Sequence, residues 1–190
     1  MRQLTLAELE AALDDICQSP RDEGRLDLIV RRPAVGVREV LEQGELDVSQ
    51  GLVGDTWSSR SSSRTRDRSP HPDMQLNIMN SRVIGLLAQR KDRWPLAGDQ
   101  LFMDFDLSAA NLPAGTRLAV GSAVIEVTAQ PHTGCQKFVA RFGLDAMTFV
   151  NSPIGTTLRL RGINAKVVRT GAIRVGDAAK KLIGSTPSSR

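Results

Sequence analysis

The sequence predicts a mainly β protein: a closed or partly closed β-barrel with peripheral helices and an N-terminal helix. Short runs of alternating apolar and polar residues recur from residue 25 onward, separated by glycine and proline. One pair of runs, "TRLAV" and "AVIEVTA", is joined by Gly121-Ser122 and predicts a tight hairpin. Because closure removes exposed strand edges, a barrel is the economical arrangement of these short strands.

The first residues predict a helix. Thr5 and Glu8 have the spacing of a capping box. Apolar residues follow at helical spacing along one face, at Leu6, Leu9, Leu13, Ile16 and Cys17. Because Cys17 lies on that face, it is predicted to be a small buried core residue. Residues 1–24 are therefore interpreted as a helical arm on the domain that follows.

Further strands and helices are predicted by the period of the apolar residues. The predicted strands are RLDLIVRRP (25–33), VGVREVLEQ (35–43), GELDVSQGLVGDTW (44–57), the start of MQLNIMN (74–80), GDQLFMDFDL (98–107), TTLRLRG (156–162), INAKVVRTG (163–171) and AIRVGD (172–177). The predicted helices begin at Asn80 or Ser81, with a stop at Pro95, and at QKFVARFG (136–143) and LDAMTFV (144–150). The barrel domain spans 25–183, and residues 184–190 are predicted to be a disordered tail.

A serine- and arginine-rich segment, residues 58–73, interrupts the strands. It has no aliphatic or aromatic residue and carries four arginines, Arg60, Arg64, Arg66 and Arg68. One interpretation is a mobile surface loop. The other is a basic flap that closes over a phosphate-bearing ligand. We call this segment the Ser/Arg loop.

Composition limits the classes of function. Net charge is +4, which suits an anionic ligand, but aromatics are only 4% and tyrosine is absent, which disfavours nucleic acid as a partner. Two cysteines are too few for a disulfide scaffold and indicate free thiols in a reducing compartment. The N-terminus does not resemble a signal peptide, and no apolar run approaches ~18 residues, so a cytoplasmic protein with no membrane partner is expected.

Cys135 lies in a polar loop between a predicted strand and a predicted helix. Lys137, His132 and the helix N-terminus would each favour the ionised thiolate, and Gly134 allows close approach of a ligand. This pattern is typical of a nucleophile, a sulfur carrier or a soft-metal ligand. No second cysteine has metal-finger spacing, so no structural zinc site is expected. An inert loop cysteine is the alternative that spacing alone leaves open.

The order of several motifs resembles the MOSC domain, the module found at the C-terminus of molybdenum cofactor sulfurases and as stand-alone bacterial proteins. The similar segments are VRRPAVG, GLVGDTW, QLNIMNSRVIGLLA, LPAGTRLAVGSAVIEVTAQPHTGCQK and RGINAKVVRTGAIRVGD, from about residue 26 to 182. Three features depart from the family pattern. The histidine often found shortly after the Gly-Asp turn is missing, and the Ser/Arg loop takes its place. Gly134 stands where many members have a proline before the cysteine, and Gly98-Asp99-Gln100 lacks the family's asparagine.

The resemblance implies a barrel of the kind grouped with pyruvate-kinase-like barrels. It also implies that Cys135 carries sulfur or ligates molybdenum, as a member that transfers sulfur, binds a molybdenum–pterin cofactor or reduces N-hydroxylated substrates; pyridoxal phosphate binding is a further family association. By position it assigns Arg32, Gly54 and Asp55 to the pocket, and also Asn80 and Arg82. Together with His132 and Lys137, these are the candidate cofactor-binding residues.

The leading hypothesis is a protein that handles sulfur or a molybdenum–pterin cofactor through Cys135, as a sulfurtransferase-like protein or a molybdenum-dependent oxidoreductase. Its partners would be the pterin cofactor or a protein that donates or accepts sulfur. The alternatives are a non-catalytic barrel that binds an anionic partner through the Ser/Arg loop, and a family member whose pocket is idle. Whether the chain is an enzyme, and its oligomeric state, stay open.

Overall fold

A computed structural model describes residues 2–182. It confirms the predicted mainly β fold with a closed barrel. The eleven strands are β1 Glu23–Arg31, β2 Glu39–Leu41, β3 Gln43–Asp47, β4 Gly51–Leu52, β5 Leu76–Asn80, β6 Leu101–Asp104, β7 Arg117–Val120, β8 Ala123–Val127, β9 Ile163–Arg169, β10 Gly171–Arg174 and β11 Ala178–Leu182. The α-helices are α1 Leu6–Glu10, α2 Leu13–Cys17, α3 Ser81–Ala88, α4 Gln136–Phe142, α5 Leu144–Asn151 and α6 Pro153–Thr157. Three 3-10 helices lie at Thr56–Ser59, Pro72–Met74 and Lys91–Ala97.

Seven strands close the barrel in the order β1-β6-β5-β9-β8-β7-β11, and β11 pairs again with β1. The pairing of β5 with β6 is parallel, and the other described strand pairs are antiparallel. Strand β2 pairs with the end of β1, while β10, β3 and β4 form a small second sheet. The predicted hairpin of β7 and β8 is confirmed.

Two apolar layers result from these strands. The first fills the barrel and includes Leu26, Ile29 and Phe105, and the second lies between the outer barrel surface and the helices and includes Leu28 and Val30. Strict alternation would put Leu26 and Leu28 on one face of β1. A β-bulge between them shifts the register, so that Leu26 and Ile29 point inward while Leu28 and Val30 contact the helices.

The N-terminal helix is confirmed, but it is broken into α1 and α2. Thr5 and Glu8 form the predicted capping box. The prediction for Cys17 is wrong, because its side chain is exposed. The break between the two short helices leaves Ile16 as the buried residue of α2, and Cys17 points away from the core.

Other element predictions need correction. TTLRLRG is not a strand, because Ser152 caps a helix at Gly155 and Pro153 occupies its first turn, so α6 and a turn occupy these positions. Helix α3 ends at Gln89 in the left-handed conformation, before Pro95, which lies inside a 3-10 helix. VGVREVLEQ forms only the three-residue strand β2. The predicted tail at 184–190 lies outside the described residues.

Strand β11 was not predicted. Its sequence AAKKL has no alternating pattern, yet this strand joins β7 to β1 and closes the barrel. None of the helices that the structure describes is long and apolar enough to span a membrane.

The closure of the barrel generates a paired test. A Cβ at Gly24 of β1 would overlap the Asp104 carbonyl oxygen and lie 2.6 Å from Phe105 Cδ2, whereas a Cβ at Gly85 of α3 would meet only Trp94, at 3.6 Å. Urea denaturation should show Gly24→Ala less stable by about 1–3 kcal/mol, from overpacking. Gly85→Ala should be more stable by up to ~1 kcal/mol, from helix propensity. Equal stabilities for the two variants would contradict the close packing of Gly24 in β1 against Asp104 and Phe105.

Candidate functional site

One end of the barrel gathers the loops that carry most of the candidate residues. Ile29 of β1 and Ile78 of β5 both pair with Leu101, the first residue of β6, and Ile78 also pairs with Ile163, the first residue of β9. The end of β1 therefore lies beside the starts of β5, β6 and β9. We call this end the mouth.

A buried ion pair lies at the mouth where β1 ends. Arg32 Nε and Nη2 donate to the two carboxylate oxygens of Asp55 at 2.8 and 2.9 Å, and the side chains are 5% and 0% exposed. Asp55 also accepts the Trp57 backbone N–H at 2.9 Å, which caps the 3-10 helix. Its neighbour Gly54 has φ +79°, the left-handed turn that directs Asp55 inward. Asp55 therefore serves both as a turn residue and as the partner of a basic side chain.

The Arg32 guanidinium continues into a chain of side-chain amides. Its Nη1 donates to Asn77 Oδ1 at 3.1 Å, and Asn77 Nδ2 donates to Asn164 Oδ1 at 2.7 Å. Asn164 Nδ2 in turn donates to the carbonyls of Gln130 and Pro131, at 3.1 and 3.3 Å. This polar chain connects the pair at the end of β1 to the loop that carries Cys135.

A second buried ion pair holds the same loop. Asp99, fully buried, accepts Arg161 Nη1 at 2.8 Å and lies 2.7 Å from His132 Nε2. Arg161 also donates to the Ala97 carbonyl at 3.0 Å. Because a carboxylate only accepts, His132 must donate from Nε2, so its Nδ1 is the acceptor.

The charges within this group decide its protonation. Burial acts to raise the pKa of Asp99, but the Arg161 charge and the contact with His132 outweigh it and hold this pKa at about 2. Burial and then the Arg161 charge lower the pKa of His132 below its ordinary 6.5. At neutral pH the group is therefore an ionised Asp99, a charged Arg161 and a neutral His132.

Cys135 is the N-cap of α4, and its side chain is exposed. The preceding residue is tightly held: Gly134 N–H donates to Asn151 Oδ1 at 3.0 Å, and a Cβ at Gly134 would lie 2.6 Å from Met147 Sδ. A larger residue at this position would require the Met147 side chain of α5 to move. Lys137 is exposed on the first turn of α4. The thiol therefore faces solvent from a rigid backbone.

Two further arginines, Arg38 and Arg141, lie beside Gly98, and a third, Arg60, lines the same cavity as Arg32. Arg32 Nη1 donates to the Gly98 carbonyl at 2.8 Å, and a Cβ on Gly98 would lie 3.8 Å from Arg141 Nη1 and 3.9 Å from Arg38 Nη2. Burial, then the charges of Arg141 and Arg32, lower the pKa of Arg38. Burial, then Arg32, lower that of Arg60. We call Arg32, Arg38, Arg60 and Arg141 the arginine cluster.

The arginine cluster contains more positive charge than its partners neutralise. Within residues 2–182, Arg38, Arg60 and Arg141 form no ion pair; their acceptors are the Val37 carbonyl, the Thr56 hydroxyl and the Leu96 carbonyl. Asp55, the acidic residue beside them, forms its ion pair with Arg32. Arg38 Nε is buried without a hydrogen-bond partner. Three positive charges thus lack a counter-ion.

The Ser/Arg loop covers part of the mouth. A cavity of about 160 Å³ lies beneath it, lined by Arg32, Trp57, Arg60, Ser61, Ser62, Pro70, His71, Met74 and Asn77. We call it the flap cavity. The loop contacts the cysteine segment through Arg64 Nη1, which lies 3.1 Å from Gln130 Oε1. Trp57 Nε1 is a second buried donor without a partner.

Two candidates lie away from the mouth. Asn80 is three residues beyond Asn77, about 10 Å along β5, and is buried as the cap of α3, where it accepts the N–H groups of Arg82 and Val83. Arg82 forms ion pairs with Asp104 and Asp15. The mouth instead contains residues that the sequence analysis did not assign: Arg38, Asn77, Asp99, Arg161 and Asn164. A signal for two of them was present, since asparagine is depleted in strands.

The structure combines a closed seven-stranded barrel with an exposed thiol at Cys135, which lines none of the cavities described here. The MOSC domain family model matches residues 65–180, so the chain belongs to the MOSC domain family, which is linked to molybdenum cofactor and sulfur-related functions. No curated protein matches the chain.

Solved structures share this fold. The YuaD protein from Bacillus subtilis is 18% identical, with 84% of this chain and 95% of that chain covered and a TM-score of 0.60. YiiM from Escherichia coli is 17% identical, with 85% and 71% covered and a TM-score of 0.54. YiiM from Geobacillus stearothermophilus is 12% identical, with 87% and 76% covered and a TM-score of 0.52. At these identities the likeness concerns the fold alone.

The protonation of His132 predicts a pH dependence of stability. As the pH falls from 7 to 5.5, His132 in the unfolded chain takes up a proton at its ordinary pKa, while folded His132, whose pKa is lowered, does not. The unfolded state therefore gains protons, and the free energy of unfolding falls by up to about 1.4 kcal/mol per pH unit. Urea denaturation across this range should show the slope in the wild type and in His71→Gln. His132→Gln should remove it; an unchanged slope would mean that His132 is not held neutral.

Proposed function

We propose that the chain binds a molybdenum–pterin cofactor, or carries sulfur, at the mouth through Cys135. One observation carries the proposal: three arginines without counter-ions converge beside the mouth whose loop presents the only thiol near it. Guanidinium groups match phosphate oxygens in geometry and charge. The cluster would hold the cofactor's phosphate, and the Ser/Arg loop would cover it.

The side chains near Cys135 could hold a metal ion only if the cofactor supplied most of the ligands. No group of three or more histidine, cysteine and acidic side chains arranged to hold a metal ion lies in the described part of the chain. A metal bound by protein side chains alone therefore does not fit these residues. A molybdenum ion with Cys135 as its one protein ligand fits, since the cofactor's sulfur atoms would supply the others, and thiolates suit soft metals.

When bound, the cofactor would supply two-electron chemistry at the metal. The chain's own contributions are electrostatic and positional. The arginine cluster binds the anionic group, Asp55 keeps Arg32 oriented toward Asn77, and the polar chain and Asp99 hold the cysteine loop in one arrangement. Such preorganisation avoids reordering the site when a ligand arrives.

The exposed thiol also supports sulfur carriage. The Cys135 thiolate would attack the outer sulfur of a donor persulfide, forming a new S–S bond as the donor leaves as a thiolate. Its exposure allows a donor protein to reach it.

The alternative is an anionic partner bound only by the Ser/Arg loop, and binding of such a partner would depend on different arginines. All three arginines are exposed, but Arg60 belongs to the arginine cluster and lines the flap cavity, whereas Arg66 and Arg68 do not line it. Cofactor binding depends on Arg60. A loop-only partner would depend equally on Arg66 and Arg68.

Metal and sulfur content test the proposal. Protein purified without oxygen should contain molybdenum, measured by elemental mass spectrometry, or a persulfide on Cys135, found by peptide mapping. Cys135→Ser should abolish either signal, and the matched control Cys17→Ser should keep it. Replacing Arg38, Arg60 and Arg141 with glutamine should remove molybdenum but not a persulfide, while Arg66→Gln with Arg68→Gln should keep both. A wild-type protein with neither signal would overturn the proposal.

The reactivity of the two cysteines gives an internal comparison. Both thiols are exposed, but Cys17 ends α2, which has Asp14 and Asp15 in its first turn, whereas Cys135 precedes α4 and Lys137. Iodoacetamide at pH 7 should therefore alkylate Cys135 several-fold faster than Cys17. Mass spectrometry of the peptides over time measures the two rates. Lys137→Gln should narrow the difference. Equal alkylation rates for Cys135 and Cys17 in the wild type would contradict an enhanced reactivity of Cys135.

A further inference from the structure

A second cavity lies along the same cysteine loop and shares no lining residue with the flap cavity. One wall is the loop itself, residues 128–133, and the other is formed by residues 150–163. Its volume is about 270 Å³, near the lower end of the range for small-molecule sites, ~300–1,000 Å³. We call it the rear cavity.

The charged residues in the lining of the rear cavity are both arginines. Arg161 is neutralised by Asp99. Arg159 is half-buried; the acceptor of its side chain is the Leu112 carbonyl, at 2.6 Å, and it takes part in no ion pair within residues 2–182. Burial lowers its pKa. The lining includes no aspartate or glutamate.

The backbone holds Arg159 in an unusual conformation. Its φ is +50°, in the left-handed region that a residue with a side chain seldom adopts. This turn follows α6 and directs the guanidinium toward Leu112 and the cavity wall. A charged side chain held in a strained turn, without a counter-ion, is typical of a binding site.

Neutral polar groups complete the lining. Thr128, Thr133, Asn151 and Thr156 contribute hydroxyls and an amide, and His132 is a neutral imidazole whose Nε2 bonds Asp99. A ligand with an anionic group and a hydroxyl would find a cation, donors and acceptors there.

We propose that the rear cavity binds a small oxyanion, a carboxylate or a phosphate, through Arg159. The site is separate from the arginine cluster and does not require that Cys135 bind a cofactor. Its occupant lies beside Thr133 and Asn151, and Asn151 holds the Gly134 N–H. Occupancy therefore also changes the rate at which Cys135 is alkylated.

Titration calorimetry in chloride-free buffer tests the site, with inorganic phosphate, sulfate and lactate as probes. The parent is the protein with Arg38, Arg60 and Arg141 replaced by glutamine, so that the arginine cluster does not compete. One probe should bind this parent with 1:1 stoichiometry. Arg159→Gln in the same parent should weaken binding at least about tenfold, because one charge-assisted hydrogen-bonding group is lost. Arg159→Lys should weaken it less.

Thr156→Val, on the exposed rim, is a second variant that is expected to fold even if Arg159→Gln does not. It should weaken binding by a few-fold, and Arg66→Gln should leave it unchanged. At a saturating concentration, the probe that binds should also change the rate at which iodoacetamide alkylates Cys135. No binding of any probe to the parent, or unchanged binding in both the Arg159→Gln and Thr156→Val proteins, would overturn the proposal. Molybdenum or persulfide content, measured as above, reports on the mouth independently of this result.

Discussion

The architecture of the site depends on two buried ion pairs at one end of the barrel, Arg32 with Asp55 and Arg161 with Asp99. Removing such charges from water costs several kcal/mol per ion, and the cost is offset only where each charge meets partners in good geometry. Both pairs meet that condition, because the two carboxylates also accept bonds from Trp57 and His132. Losing one partner would leave an unpaired buried charge, at about 3–5 kcal/mol. The first pair therefore joins the loop after β1 to the loop after β4, and the second joins the loop before β6 to the loop before β9.

This rigidity explains how an exposed thiol is positioned. A side chain on the surface ordinarily samples many arrangements. The segment before Cys135, however, is held at the backbone of Gln130 and Pro131 by Asn164, at the imidazole of His132 by Asp99, and at the backbone of Gly134 by Asn151. The thiol is accessible while its backbone is not free to move. That combination suits a group that must meet either a large cofactor or another protein.

The sequence was sufficient to predict the parts of the molecule that depend on local pattern. Alternation predicted most of the barrel strands and the β7–β8 hairpin. Residue type and motif order led us to propose the cysteine loop, Arg32, Asp55 and His132 as site residues, and these assignments stay predictions. Closure of the barrel was not predictable in detail, since AAKKL becomes a strand only because β1 and β7 each offer an unpaired edge. The pairing of Asp99 with Arg161 spans 62 residues, and no local signal reports it. Likewise, TTLRLRG alternates as a strand does, and the cap at Ser152 overrides the alternation.

The placement of two cavities on one loop has a consequence for how the protein could be controlled. The flap cavity and the rear cavity share no lining residue. Asn164 connects Asn77, in the wall of the flap cavity, to residues 130 and 131, and Asp99 connects Arg161, in the wall of the rear cavity, to His132. Coupling between two such sites requires an element with two arrangements whose balance each ligand shifts. The loop is held at four residues, 130–132 and 134, so a ligand that changes it must break or strengthen one of those bonds. Of these, the bond from Gly134 N–H to Asn151 is the most exposed and lies nearest Cys135 in the chain. A ligand in the rear cavity, which Asn151 lines, would therefore act on the backbone next to Cys135 through that hydrogen bond, whereas a ligand in the flap cavity would reach the loop through Asn77 and Asn164.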